Sequence, residues 1–82
     1  MDLISLTEQI VKSLALHKDS VSVKEFPTDE ENEILIQVMI DSEDMVRVIG
    51  KGGKCANAIR TLVQASSALR DNKYIKIDID KF

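Results

Sequence analysis

All three glycines of the chain fall within four consecutive positions, Gly50-Lys51-Gly52-Gly53. Glycine reaches positive φ without a Cβ clash and weakens a helix interior by about 1 kcal/mol relative to alanine, so the cluster must interrupt whatever regular structure surrounds it. Apolar residues recur at helical spacing on both sides. Met45, Val46, Val48 and Ile49 precede the glycines, and Cys55, Ala56, Ala58, Ile59, Leu62, Val63, Ala65 and Leu69 follow them. The spacing predicts a helix of about two turns, a glycine turn, and a longer helix that ends between Ser66 and Asn72. Asp41-Ser42-Glu43-Asp44 puts cap-forming side chains and negative charge at the start of the first of these helices.

The remaining segments alternate between two periodicities. Leu3, Leu6, Ile10, Val11, Leu14 and His17 predict an amphipathic helix over residues 2–17, capped by Asp2 or by the box Ser5-Leu6-Thr7-Glu8. Val21 and Val23 begin a short strand that Phe26-Pro27-Thr28-Asp29 breaks, with Phe26 out of phase. Ile34, Ile36, Val38 and Ile40 occupy one face of a second strand whose other face, Leu35, Gln37 and Met39, is also largely apolar, as expected of a central strand. Tyr74 to Asp80 alternates again, with Ile75, Ile77 and Ile79 inward. The expected architecture is α+β, in the order α-β-β-α-α-β. The two neighbouring strands form a hairpin, and the two-helix crossover favours parallel placement of the third strand. A three-stranded mixed sheet with three helices on one face results.

At 82 residues the chain has room for one modest core, and residues 1–82 read as a single domain. No apolar run approaches the roughly 20 residues of a membrane span, and no secretory leader is visible, so a cytoplasmic protein is expected. One cysteine and one histidine exclude an internal disulfide and the usual zinc constellations; no metal or cofactor is expected.

The net charge is −3, but it is segregated. From Met45 to Arg70 there is no acidic residue, while Arg47, Lys51, Lys54, Arg60 and Arg70 give that stretch +5. Glycines between two helices bring bare backbone close to a ligand, and the helix that follows offers unpaired N–H groups and a positive dipole end. With Lys51 and Lys54 beside them, and Arg47 and Arg60 about a turn away, the site suits a phosphodiester backbone. A nucleotide-binding loop would need G-x-x-x-x-G-K-[ST] after a strand, and a dinucleotide fingerprint would need a glycine where Cys55 stands; neither fits.

The run Val46-Arg47-Val48-Ile49-Gly50-Lys51-Gly52-Gly53-Lys54, set in this order of elements, resembles the KH domain of the second topological type. There an I-G-x-x-G turn between two helices clamps about four nucleotides of single strand. Length, acidic N-terminal half and V-I-G-K context resemble the small bacterial one-domain KH proteins of the KhpA type. The resemblance implies an RNA chaperone or post-transcriptional regulator, associated in that family with cell-wall growth and cell-length control. It puts Gly50 and Gly53 at the fixed glycines and Lys51 and Gly52 at the variable pair. Arg47, Ile49, Lys54 and Arg60 complete the expected RNA site, with Val46, Ile49, Ile59 and the second strand as candidate groove walls. Gly52 departs from the pattern, since KhpA-like turns usually carry a basic or polar side chain there. A looser turn and weaker binding are therefore expected.

The helix after the glycines has small or apolar residues on more than one stripe, more than one sheet face should consume. The resemblance implies a homodimer, and pairing with a second KH protein of the KhpB type, through Cys55, Ala58, Leu62 and Val63. Leu62 reads equally well as core. Catalysis has little to work with: Cys55 has no base placed beside it, and no enzyme activity is expected. The alternative to an RNA-binding module is a protein-interaction adaptor whose glycine turn is purely structural. Phosphate contacts weaken steeply with salt and apolar contacts do not, so salt separates the two.

Overall fold

A computed structural model describes residues 2–70 and 72–82. The elements are α1 (Leu3–Leu14), β1 (Ser22–Pro27), β2 (Glu33–Ile40), α2 (Met45–Ile49), α3 (Lys54–Arg70) and β3 (Tyr74–Lys81), with single 3-10 turns at Lys18–Ser20, Ser42–Asp44 and Lys51–Gly53. β2 lies at the centre, antiparallel to β1 and parallel to β3. The register sets Val38 opposite both Val23 and Ile79, and Ile36 opposite Ile77. These inward positions meet Leu3, Val11, Val48, Ala56, Ile59 and Val63 from the three helices in one continuous core. Each fully buried Val or Ile contributes about 1.5–3 kcal/mol by leaving water. The α+β order and the mixed sheet are those the periodicities predict.

Differences arise where side chains override local pattern. Asp2 is the cap of α1, its Oδ1 accepting the Ser5 N–H at 2.7 Å, and the helix stops at Leu14 rather than continuing to residue 17. Ala15 is already extended, and His17 lies beyond the helix, because the N–H groups of Leu16 and His17 donate to the Asp44 carboxylate instead. β1 runs through Phe26 to Pro27. Phe26 pairs with Leu35 on the sheet face that carries no helix, which accounts for its phase. Pro27 ends an edge strand, where a missing N–H costs no ladder bond. Val63, expected at a partner interface, has no exposure at all and belongs to the core. On α3 it shares the inward face with Ala56, Ile59 and Ser67, and the neighbouring residue Leu62 is turned outward.

Candidate nucleic-acid interface

The glycine turn is built from two kinds of glycine. Gly50 sits at φ 78° and ψ 171°, a region essentially reserved for glycine, and a Cβ there would lie 2.8–2.9 Å from Sγ, Cβ and N of Cys55. Its carbonyl accepts the Gly53 N–H at 3.2 Å, closing the turn. Gly52 and Gly53 also have positive φ, but nothing lies within 4 Å of a Cβ at Gly52, and only Asn57 Nδ2, at 4.0 Å, near one at Gly53. The outer half of the turn is therefore bare backbone facing open space, directly ahead of the N-terminus of α3. Gly50 is demanded by packing and Gly52 only by its dihedral angle.

The cations divide as well. Lys51 and Lys54 are exposed, and among the described residues neither has a side-chain partner. Arg47 is held back: its Nη1 donates to the Glu43 carbonyl at 3.1 Å and lies 3.8 Å from Asp44 Oδ1. Arg60 is fixed across the outer edge of β3, with Nε donating to the Ile77 carbonyl at 3.3 Å and Nη1 to Asn57 Oδ1 at 3.2 Å. The structure thus places two freely directed ammonium groups at the turn and holds the two guanidinium groups in other bonds.

Of the expected groove walls, Val46 is 81% exposed, Ile49 is half-buried against the core, and Ile59 is core. Cys55 is half-buried, its thiol against Gly50, so it supports the turn from within. Ala58 and Leu62 are exposed, as expected of an interface, and Ala65 and Leu69 continue the same outward stripe of α3.

Asp44 is the residue that sequence reasoning misplaced. Read as a helix-start charge, it is fully buried and makes no side-chain cap bond. Burial would raise its pKa, but the Leu16 and His17 N–H donors, with the charges of His17 and Arg47, outweigh that and hold the carboxyl below its ordinary value. The signal was available only in three dimensions, since its partners lie 27 and 28 residues away. Beside it, His17, Asp41 and Glu43 bring one ligand-type atom each to within 4.8 Å of one another. Asp41 there caps the turn Ser42–Asp44 by accepting the Glu43 N–H at 2.8 Å, and the cluster ties the exit of α1 to the start of α2.

A sequence model of the KhpA/KhpB KH domain matches residues 5–79. The chain belongs to the KhpA/KhpB KH-domain family. RNA-binding protein KhpA of Clostridium perfringens is 40% identical over 74 residues, covering 90% of this chain and 95% of the relative. The KhpA of Listeria monocytogenes is 40% identical over 70 residues, covering 85% and 88%. Among solved structures, Era from Aquifex aeolicus bound to GDP.AlF4- superposes with a TM-score of 0.69 at 19% identity, over 98% of this chain and 30% of that one. Era in complex with MgGDPNP and a segment of 16S ribosomal RNA gives 0.66 at 18% identity, over 96% and 29%. The KH fold of this family is therefore shared with about a third of Era. No helix among the described residues is long and apolar enough to cross a membrane.

Proposed function

We propose that this KhpA-family chain binds single-stranded RNA, gripping the phosphate backbone at Gly50-Lys51-Gly52-Gly53. The observation that carries the reading is the open outer half of the turn, where bare backbone at Gly52 and two unpaired ammonium groups, Lys51 and Lys54, face solvent together. Curated relatives that align along nearly their whole length are named RNA-binding proteins. The grip is weak by construction, because Gly52 supplies no side-chain donor and the two arginines are engaged in other bonds. A second copy, or a KhpB-type partner, docked on the outward stripe Ala58-Leu62-Ala65-Leu69 would add avidity without new phosphate contacts. In this reading the protein acts in the cytoplasm, without catalysis, as an RNA chaperone or post-transcriptional regulator, on the side of cell-wall and cell-length control that the family resemblance implies.

The test is the double variant Lys51→Asp, Gly52→Asp. Retention of single-stranded RNA on a filter should fall to background while the melting curve stays within a few degrees. Full RNA retention by the folded variant would sink the proposal and favour the adaptor reading.

A further inference from the structure

β3 has a covered face and a bare one. Ile75, Ile77 and Ile79 are buried beneath the helices, so Tyr74, Lys76 and Asp78 alternate onto the opposite, helix-free side. There they line a recess of about 380 Å³ with Leu35 as part of its floor. Arg60 reaches into the same recess around the strand's outer edge. Its position is fixed by the bonds to Ile77 O and Asn57 Oδ1, which leave Nη2 and the planar face of the guanidinium unengaged among the described residues. Tyr74, 62% exposed, lines the same recess. Lys76 is paired with Glu33 at 3.4 Å and is not a free phosphate ligand.

We propose that this recess holds a nucleobase of the same RNA strand whose backbone is gripped at the glycine turn, stacked on Tyr74 and contacted by Arg60. The inference rests on the RNA-binding reading above and extends it to a second contact. An exposed aromatic ring and a fixed, planar guanidinium lining one recess are a combination that accepts any base by stacking. Asp78 sets the polarity: it repels a phosphate, and it accepts a hydrogen bond from an exocyclic amine. Continuity with the turn comes from α3 itself, on which Arg60 lies six residues, or about 9 Å of helix rise, beyond Lys54. The strand would leave the turn along α3 and pass around the β3 edge onto the bare face, lengthening the footprint past a four-nucleotide clamp.

The chain has one tyrosine and no tryptophan, so its intrinsic fluorescence reports on Tyr74 alone. Randomised single-stranded RNA 4-mers and 8-mers are titrated unlabelled into the wild-type protein to read quenching, with the Lys51→Asp, Gly52→Asp variant as a correction for absorbance by the RNA. The anisotropy of the same RNAs carrying a fluorescein end label reads their affinity for wild type, Tyr74→Ala and Tyr74→Phe, the last two having no tyrosine to report. The 8-mers should quench Tyr74 and the 4-mers should not. Tyr74→Ala should weaken 8-mer binding about five- to tenfold while leaving 4-mer binding unchanged, and Tyr74→Phe should retain it. If 8-mers bind without quenching and Tyr74→Ala binds them as well as wild type, the recess is not a base site, and the clamp stands alone. If neither length binds, the RNA-binding reading falls and this inference falls with it. Quenching that follows protein concentration without RNA would assign the recess to a second copy and overturn the proposal.

Discussion

Asp44 Oδ2 accepts the backbone N–H of His17 at 2.9 Å, while Asp44 Oδ1 takes that of Leu16 at 3.0 Å. One carboxylate without solvent exposure therefore stops α1 and fixes the start of α2, the helix that leads into the glycine turn. Its pKa is lower in the folded protein than the ordinary 3.8, so on acidification the unfolded chain takes up the proton first. The stability it supplies is complete above about pH 4 and is lost as pH falls through the lower, folded value. Asp44→Asn keeps one acceptor but turns an amide donor toward an N–H. It should lower the melting temperature at pH 7 by roughly 5–10 °C and flatten the acid limb below pH 4. Thermal scans from pH 2 to 7 check this; an acid limb identical to wild type would contradict it.

The two kinds of glycine separate under alanine substitution. Gly50→Ala meets both a dihedral angle closed to other residues and the Cys55 side chain at 2.8 Å, and should cost about 3 kcal/mol or more in urea unfolding. Gly52→Ala meets only the left-handed φ of 64° and should cost about 1 kcal/mol. Equal losses at the two positions would refute the distinction.

Two free ammonium groups imply about two phosphate contacts. The logarithm of the RNA association constant should fall with the logarithm of salt at a slope near −1.4, since a single strand gives about −0.7 per contact. Lys54→Ala should bring the slope to about −0.7, and Arg47→Ala should leave it nearly unchanged, because Arg47 already serves Glu43. Fluorescence anisotropy at several salt concentrations measures all three slopes.

Adjacent residues on α3 should behave oppositely. Leu62 is 56% exposed, so Leu62→Asp should remain folded, and sedimentation should find the wild type dimeric and Leu62→Asp monomeric. Val63→Asp buries a charge in the core and should unfold the chain. A folded Leu62→Asp that still dimerises would exclude the outward stripe.

Most of the fold was legible because β2 and β3 repeat isoleucine and valine at strict period two, and α3 keeps helical spacing on both sides of Ile59. The glycine turn was legible for the same reason, lying where one helical period breaks and the next begins. What local pattern did not carry was choice among faces. Leu62 and Val63 are equally apolar, and only the rotation of α3 on the sheet decides which is core. His17 matched the period of α1 but was drawn out of the helix by Asp44, a partner no window along the chain contains. Phe26 is out of phase with Val21 and Val23 because its place opposite Leu35 turns it to the bare face, which a single strand's pattern does not reveal.

The central strand also separates charge. The acidic loop of Asp29, Glu30 and Glu31 leads into one end of β2, which Glu33 opens, and the chain leaves the other end through Asp41, Glu43 and the buried Asp44, beside Arg47, toward the glycine turn. The eight residues of β2 span about 26 Å at about 3.3 Å each, several times the screening distance of about 8 Å at physiological ionic strength. A phosphate at the turn is thus shielded from the acidic loop, and the net charge of −3 describes no point on the surface. In dilute salt, where fields reach farther, the same separation acts as a rudder: an approaching polyanion repels one end, attracts the other, and swings the protein turn-first before they touch.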